Sequence, residues 1–271
     1  MKIMWIISTA NQKGGCGKTT TTVNLGAALV QRGYSVLLVD ADPQANLSQS
    51  LGVADEPEYN LYTEIRNEMS GDDCSLGRAI VKTASGLHVV PSSIELAGAE
   101  NELVSVFGRE QVFTSLLAPL RPDYDFIFID CPHAIGMLTV NALTASQYVL
   151  IPLPGEFLPL KGVYSFMHQY ERIKKKLNRE LDILGLVLTK YDERKTMNTE
   201  VRAELVREFG PKLCQTVIRT NIQLARAQEM GEDIFSFDKT SNGAKDYDQL
   251  AGELLTRLSL PANRKIPDEQ S

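Results

Sequence analysis

Asn11-Gln12-Lys13-Gly14-Gly15-Cys16-Gly17-Lys18-Thr19-Thr20 stands between an apolar run, Ile3 to Ile7, and a segment with apolar residues at helical spacing, Val23, Ala27, Leu29 and Val30. A glycine-rich loop that leaves a strand and opens a helix is the context a phosphate-binding loop requires. Its glycines let backbone N–H groups turn inward around phosphate oxygens, and the helix N-terminus adds positive potential. In that frame Gly14, Gly15, Cys16, Gly17 and Thr20 line the cradle, Lys18 reaches the β- and γ-phosphates, and the Thr19 hydroxyl ligates Mg²⁺. A Gly-Lys-Thr arising by chance would not have both the strand before it and the helix after it.

The usual spacing, G-x-x-x-x-G-K-[ST], puts its first glycine at position 12, where this chain has Gln12, with Lys13 following. Lys18 alone satisfies the terminal phosphates of its own subunit. Lys13 therefore reads either as a second cation for the loop or as a solvated surface lysine.

Outward from the loop, short β-branched or apolar runs recur at Val36 to Val39, Leu87 to Val90, Phe126 to Ile129, Val149 to Ile151 and Leu184 to Leu188. Segments with helical spacing separate them: Leu138 to Ala145, Val163 to Leu177, Val201 to Phe209 and Ala244 to Leu258. The alternation predicts an α/β fold of the P-loop NTPase type, with a mainly parallel sheet and helices on both faces. Gly33 suits a left-handed cap at the end of the first helix. No repeat, low-complexity tract or Gly/Ser linker divides the chain. Residues 1–260 are expected as one domain and 261–271 as a frayed polar tail, with Gly52 to Asn60 irregular.

With 271 residues, 43% of them hydrophobic and 23% charged, the composition excludes a disordered or fibrous chain. No stretch reaches the length of a membrane span and no secretory leader follows Met1, so a cytoplasmic location is expected. The four cysteines, Cys16, Cys74, Cys131 and Cys214, lie far apart without a C-x-x-C, which argues for reduced thiols rather than disulfides or zinc.

Two carboxylate stations complete the site. Val36 to Val39 leads into Asp40-Ala41-Asp42-Pro43-Gln44, and acids at the carboxyl end of a strand sit where open α/β sheets bind ligands. A carboxylate near the γ-phosphate, here Asp42, orients the attacking water or accepts its proton. A turn that merely caps the next helix is the plainer alternative. Phe126 to Ile129 ends in Asp130-Cys131-Pro132, the pattern of a Walker B acid that holds Mg²⁺. Cys131 lacks the further cysteines a cluster would need.

Lys-Gly-Gly-x-Gly-Lys-Thr-Thr resembles the deviant Walker A motif of the ParA/MinD superfamily. The resemblance runs from about Ile3 to Leu258 and is closest to ParA proteins of the Soj type. It is carried by Val39 to Asn46, Ile94 to Gly98, Asp130 to Pro132 with Leu138 to Leu143, Ile151-Pro152, Glu156-Phe157 and Ser241 to Ala244. It implies an ATP- and Mg²⁺-dependent ATPase that forms a homodimer around two ATP molecules. It also implies non-specific binding to double-stranded DNA and hydrolysis stimulated by a ParB-like partner, a cycle that segregates plasmid or chromosome DNA over the nucleoid. By motif position Lys13 is the lysine that crosses the dimer, Lys18 and Thr19 hold phosphate and metal, Asp42 manages the water, Asp40 is a metal-shell or switch acid, and Asp130 is the Walker B acid. Loss of the γ-phosphate then lowers dimer and DNA affinity together. Thr189 to Asp192 and Arg219 to Asn221 are implied at the base, with Arg219 and Asn221 as nucleotide contacts and Glu156 on the ribose side.

There are departures. The chain begins almost at its first strand, so the DNA-reading N-terminal extension of longer relatives, and operator-specific repression, are not expected. His133-Ala134 stands where the family often has Pro-Ser, and His133 reads as a packing or surface residue. Ile218-Arg219-Thr220-Asn221-Ile222-Gln223-Leu224 replaces Ile-Pro-Arg-Asn-Val-Arg-Leu of many relatives, so Thr220 and Gln223 occupy both arginine positions.

The net charge of −6 argues against a general nucleic-acid binder, but the distribution is uneven. Residues 1–160 hold 9 basic against 17 acidic side chains, and residues 161–226 hold 14 against 8. Lys174, Lys175, Arg194, Lys195, Arg219 and Arg226 are the candidate DNA contacts, and Lys176 extends the run. Lys174 to Lys176 read equally as a solvated helical face. A protein cargo moved over the nucleoid is the near alternative. A MinD-like regulator would need a C-terminal amphipathic helix, which the polar, proline-interrupted tail does not supply, so no membrane partner is expected. A metal-cluster carrier would need paired cysteines, and a small-molecule phosphoryl transferase would not need Lys13.

Overall fold

The computed structural model describes residues 4–53, 57–120, 122–155 and 159–264, with backbone only at 159–161. Eight strands form one sheet: β1 (Trp5–Thr9), β2 (Val36–Asp40), β3 (Val81–Lys82), β4 (His88–Val90), β5 (Phe126–Asp130), β6 (Tyr148–Pro154), β7 (Asp182–Tyr191) and β8 (Leu213–Arg219). Their order is β3-β4-β2-β5-β1-β6-β7-β8, parallel except for the β3–β4 pair. Between and after them run α1 (Lys18–Gln31), α2 (Asn46–Ser50), α3 (Leu61–Ser70), α4 (Leu96–Glu102), α5 (Val112–Leu117), α6 (Met137–Ala145), α7 (Pro159–Lys176), α8 (Thr196–Phe209), α9 (Ile222–Glu229), α10 (Ile234–Asp238) and α11 (Asn242–Arg257).

The central strands are apolar throughout because both faces are covered. In β5, Ile127 and Ile129 join the core on one face while Phe126 and Phe128 join the core on the other. The first core is completed from α3 to α8 and the second from α1 and α9 to α11. α1 lies close to the sheet because residue 26 is glycine: a Cβ there would come within 2.9 Å of Leu38 Cδ2. At the end of α1, Gly33 adopts φ 83° and donates to Val30 while Tyr34 donates to Leu29, the expected left-handed cap.

Strands β3 and β8 are not read in the sequence: β3 has only two residues, and β8 is an edge strand whose Gln215 and Thr216 break the apolar pattern. One expectation is corrected. The tail is not frayed from residue 261. Tyr34 Oη donates to the Pro261 carbonyl at 2.5 Å, Arg32 Nη1 to Ala262 at 3.0 Å, and Arg264 N–H to Arg32 at 2.8 Å, while the Arg264 guanidinium pairs with Asp125. Residues 265–271 lie outside the described residues.

Candidate active site

The loop between β1 and α1 is pinned at both ends. Asn11 Nδ2 donates to the Pro152 carbonyl at 2.7 Å, and its Oδ1 accepts from Lys13 N–H at 3.1 Å. Thr189 Oγ1, near the end of β7, donates to the Cys16 carbonyl at 2.7 Å. Gly15 and Gly17 take left-handed φ values of 67° and 87°, which β-carbons disfavour. No atom lies within 4 Å of where a Cβ would stand on Gly14 or Gly15, so the loop faces open space. Gly17 caps α1 without a side chain, which leaves first-turn N–H groups available to an anion.

Lys18 is 8% exposed, and among the described residues its ammonium has no hydrogen bond or ion pair. A buried, unpaired cation is costly, so the position is built for an anion. Beside it, Asp40 and Asp130 occupy paired positions at the carboxyl ends of β2 and β5. Thr19 Oγ1 donates to Asp130 Oδ2 at 2.6 Å, and Asp130 Oδ1 is buried without a partner among the described residues. Burial, with Asp40 adding repulsion, pushes the Asp130 carboxyl up to about 8. Burial raises Asp40 to about 6 against the pull of its hydrogen bonds. Two neighbouring buried acids, an orphaned oxygen and a threonine hydroxyl fit a divalent cation.

Asp40 is already engaged: Ser48 N–H and Oγ donate to its Oδ2 at 2.9 and 2.7 Å, and Asp42 N–H donates to Oδ1 at 3.2 Å. That set suits a switch acid better than an inner metal ligand. Asp42 accepts from Gln44 N–H at 3.0 Å and opens onto the cleft.

The cleft has a volume of about 930 Å³. It is lined by Gly14 to Thr20, by Asp42, Gln49, Ser50 and His133, and by Thr189, Lys190 and Ile218 to Asn221 at the ends of β7 and β8. Arg219 and Asn221 therefore stand at the cleft, whereas Glu156 lies outside the described residues. Tyr191 and Asp192, expected beside the base, are not among the lining residues. Lys13 is also not a lining residue, and among the described residues its side chain has no hydrogen bond or ion pair. Cys131 is buried, which pushes its thiol up to about 12 and leaves it inert at neutral pH.

The DNA candidates do not form one patch. Lys174 pairs at 3.5 Å with Asp182, the first residue of β7, and its neighbour Lys175 shares that end of the sheet. Arg194 and Lys195 follow the opposite end of β7, Arg219 is the last residue of β8, and Arg226 follows it in α9. Arg194 is held by Asp192 at 2.9 Å and Arg219 by Asp246 at 2.6 Å.

Sequence reasoning missed Gln228. Its Nε2 donates to Thr20 Oγ1 at 3.1 Å and to Ser50 Oγ at 3.3 Å, bridging α9 to α1 and α2. A single glutamine on a polar helix carries no sequence signal for this role.

Comparison with known proteins agrees with the fold. A family described as "AAA domain" matches residues 4–183. The chain is 41% identical to the sporulation initiation inhibitor protein Soj of Bacillus subtilis over 92% of this chain and 97% of that one. It is 37% identical to the chromosome partitioning protein ParA of Caulobacter vibrioides over 93% and 94%. A solved structure named as cobyrinic acid a,c-diamide synthase from Mycobacterium smegmatis, with bound ATP analogue and magnesium, superposes with a TM-score of 0.82 at 34% identity, covering 95% and 96%. With its extra loop lysine at position 13 and this likeness along almost its whole length, the chain belongs to the ParA/Soj-type ATPases of the ParA/MinD superfamily.

Proposed function

We propose that this protein is an ATP-driven partition ATPase whose two copies close face to face on two ATP molecules, and whose ATP form binds double-stranded DNA without sequence preference. The observation that carries this reading is the contrast between its two loop lysines. Among the described residues, Lys18 is buried at the cleft without a hydrogen bond or ion pair, and Lys13, which does not line its own cleft, has none either.

Thr19 and Asp130 would hold Mg²⁺, which when bound neutralises negative charge on the phosphoryl oxygens. Lys18 and the loop N–H groups bind the triphosphate, and Asp42 orients a water against it. Lys13 lends its charge to the nucleotide of the second copy. Asp40, through Ser48, ties the segment carrying Asp42 to the start of α2. When the γ-phosphate leaves, Lys13 loses its target and the dimer opens.

Residues 1–260 act as one domain in this reading, in the cytoplasm and at the nucleoid, with a ParB-like protein as the stimulating partner. No described helix is long and apolar enough to cross a membrane. Segregation of plasmid or chromosome DNA is the favoured task, supported by the likeness to Soj and ParA. A mobility-shift assay tests it: a random duplex is retarded at low salt with Mg-ATP and not with Mg-ADP, and retardation fades as salt rises. Equal retardation with either nucleotide, or none with both, overturns the DNA part.

A further inference from the structure

Gly136, the residue before α6, is a bare N-cap: its backbone is extended, with φ −101°, and it has no side chain to accept from the helix. Two of the N–H groups at this helix end are met from elsewhere. Met137 N–H donates to Glu100 Oε2 at 2.5 Å, and Leu138 N–H donates to Glu100 Oε1 at 3.2 Å. Residue 136 must lack a side chain for this, because a Cβ there would run into the Glu100 carboxylate. A carboxylate from α4 thus takes the place of a capping side chain, at a helix end that favours negative charge.

Glu100 stands on a firm support. Leu96, Ala99 and Leu103, spaced three and four apart, are fully buried in the first core. The start of the same segment is tied to the other acid: Ser92 N–H donates to Ser48 Oγ at 3.1 Å, and that hydroxyl donates to Asp40 Oδ2 at 2.7 Å. Residues 92–100 therefore hold the Asp40 side through Ser92 and the chain that leaves Asp130 through Glu100. That chain carries His133 to the cleft wall, and Thr139 Oγ1 donates to the Ala134 carbonyl at 2.7 Å, which binds the loop to the first turns of α6.

We infer that Glu100 is a positioning residue for hydrolysis: through the N-terminus of α6 it fixes the loop that follows Asp130 at the cleft, on the same segment that holds Asp40. The inference rests on the ATP reading above. Placement near reacting groups is sensitive, a shift of about 1 Å costing up to about 100-fold, whereas nucleotide binding is spread over Lys18 and the loop N–H groups. The turnover rate should respond and the KM for ATP should not.

Steady-state phosphate release from Mg-ATP and thermal melts are measured for three proteins. They are the wild type, Glu100→Ala, and the double variant Glu100→Ala with Gly136→Ser. In the double variant the loop carries its own capping hydroxyl, so the helix end is satisfied while the tie to α4 is gone. It therefore carries the test even where alanine alone unfolds the chain. Glu100→Ala is expected to lower Tm by about 2–4 °C and kcat about tenfold, with KM for ATP within about twofold. The double variant is expected to regain the Tm and keep the low kcat. A kcat that returns together with Tm would show a helix cap and nothing more, and overturns the inference, as does a wild-type kcat in Glu100→Ala. A wild-type protein that releases no phosphate from Mg-ATP overturns the ATP reading itself, and this inference with it.

Discussion

Asp40 and Asp130 are register partners on β2 and β5, both buried, yet the described residues supply donors to both oxygens of the first and leave one oxygen of the second with none. The asymmetry separates a switch acid from a metal acid. It also means that, without a cation, two neighbouring carboxylates sit in a desolvated place.

Asp130→Asn should therefore leave the nucleotide-free protein as stable as the wild type or more so. Each kcal/mol of relieved repulsion raises Tm by about 2–4 °C. The same variant should lose the Tm increase that Mg-ATP gives the wild type, because ligand binding to the folded state alone is what supplies it. Thermal melts with and without Mg-ATP check both halves. A full Mg-ATP shift in the variant would remove Asp130 from the metal site.

Thr189 ties β7 to the phosphate loop through the Cys16 carbonyl. Thr189→Val keeps the shape and strands that carbonyl, a loss of about 1–3 kcal/mol. The KM for ATP should rise about 5- to 10-fold, and Thr189→Ser should restore it. Steady-state phosphate release is the measurement, and an unchanged KM in the valine variant would show that the loop keeps its form without the tie.

Gln228 offers a sharper contrast. Ser50 Oγ donates its own proton to the Asn46 carbonyl at 2.6 Å, so Ser50 accepts from Gln228 and the amide can stand only one way round. Gln228→Glu replaces that donor with an acceptor and should lower kcat/KM about tenfold, whereas Gln228→Leu merely loses the bonds and should cost about threefold. Equal effects of the two variants would show that the bridge does not set the position of α2.

The clasp of residues 261–264 over Arg32, Tyr34 and Asp125 lies at the end of the sheet away from the cleft. Ending the chain after Leu260 should cost about 2–6 kcal/mol, at about 0.5–1.5 kcal/mol for each of the four lost interactions, and lower Tm by about 4 °C or more. ATP turnover should stay within about twofold. A truncated chain that melts with the wild type would show the clasp to be energetically idle.

What could be read in the sequence was local. Asn11 to Thr20 carries its strand, loop and helix in one stretch, and Asp42 and Asp130 announce themselves by following runs such as Phe126 to Ile129. What could not be read depends on residues distant in the chain. The Thr189–Cys16 bond joins positions 173 residues apart and the Gln228–Thr20 bond positions 208 apart, so no spacing rule reaches them. The charge excess of residues 161–226 does not by itself define a surface, for a related reason. Composition counts cations without saying that Lys174 faces Asp182 at one end of the sheet while Arg194 faces Asp192 at the other.

The face-to-face dimer is tested most directly by sedimentation of Asp42→Ala with Mg-ATP, since a site that binds but does not hydrolyse holds its closed form. The predicted result is a dimer with Mg-ATP, a monomer with Mg-ADP, and a monomer under both conditions once Lys13→Ala is added. A monomer in every condition, or a dimer that persists when Lys13 is gone, would contradict it.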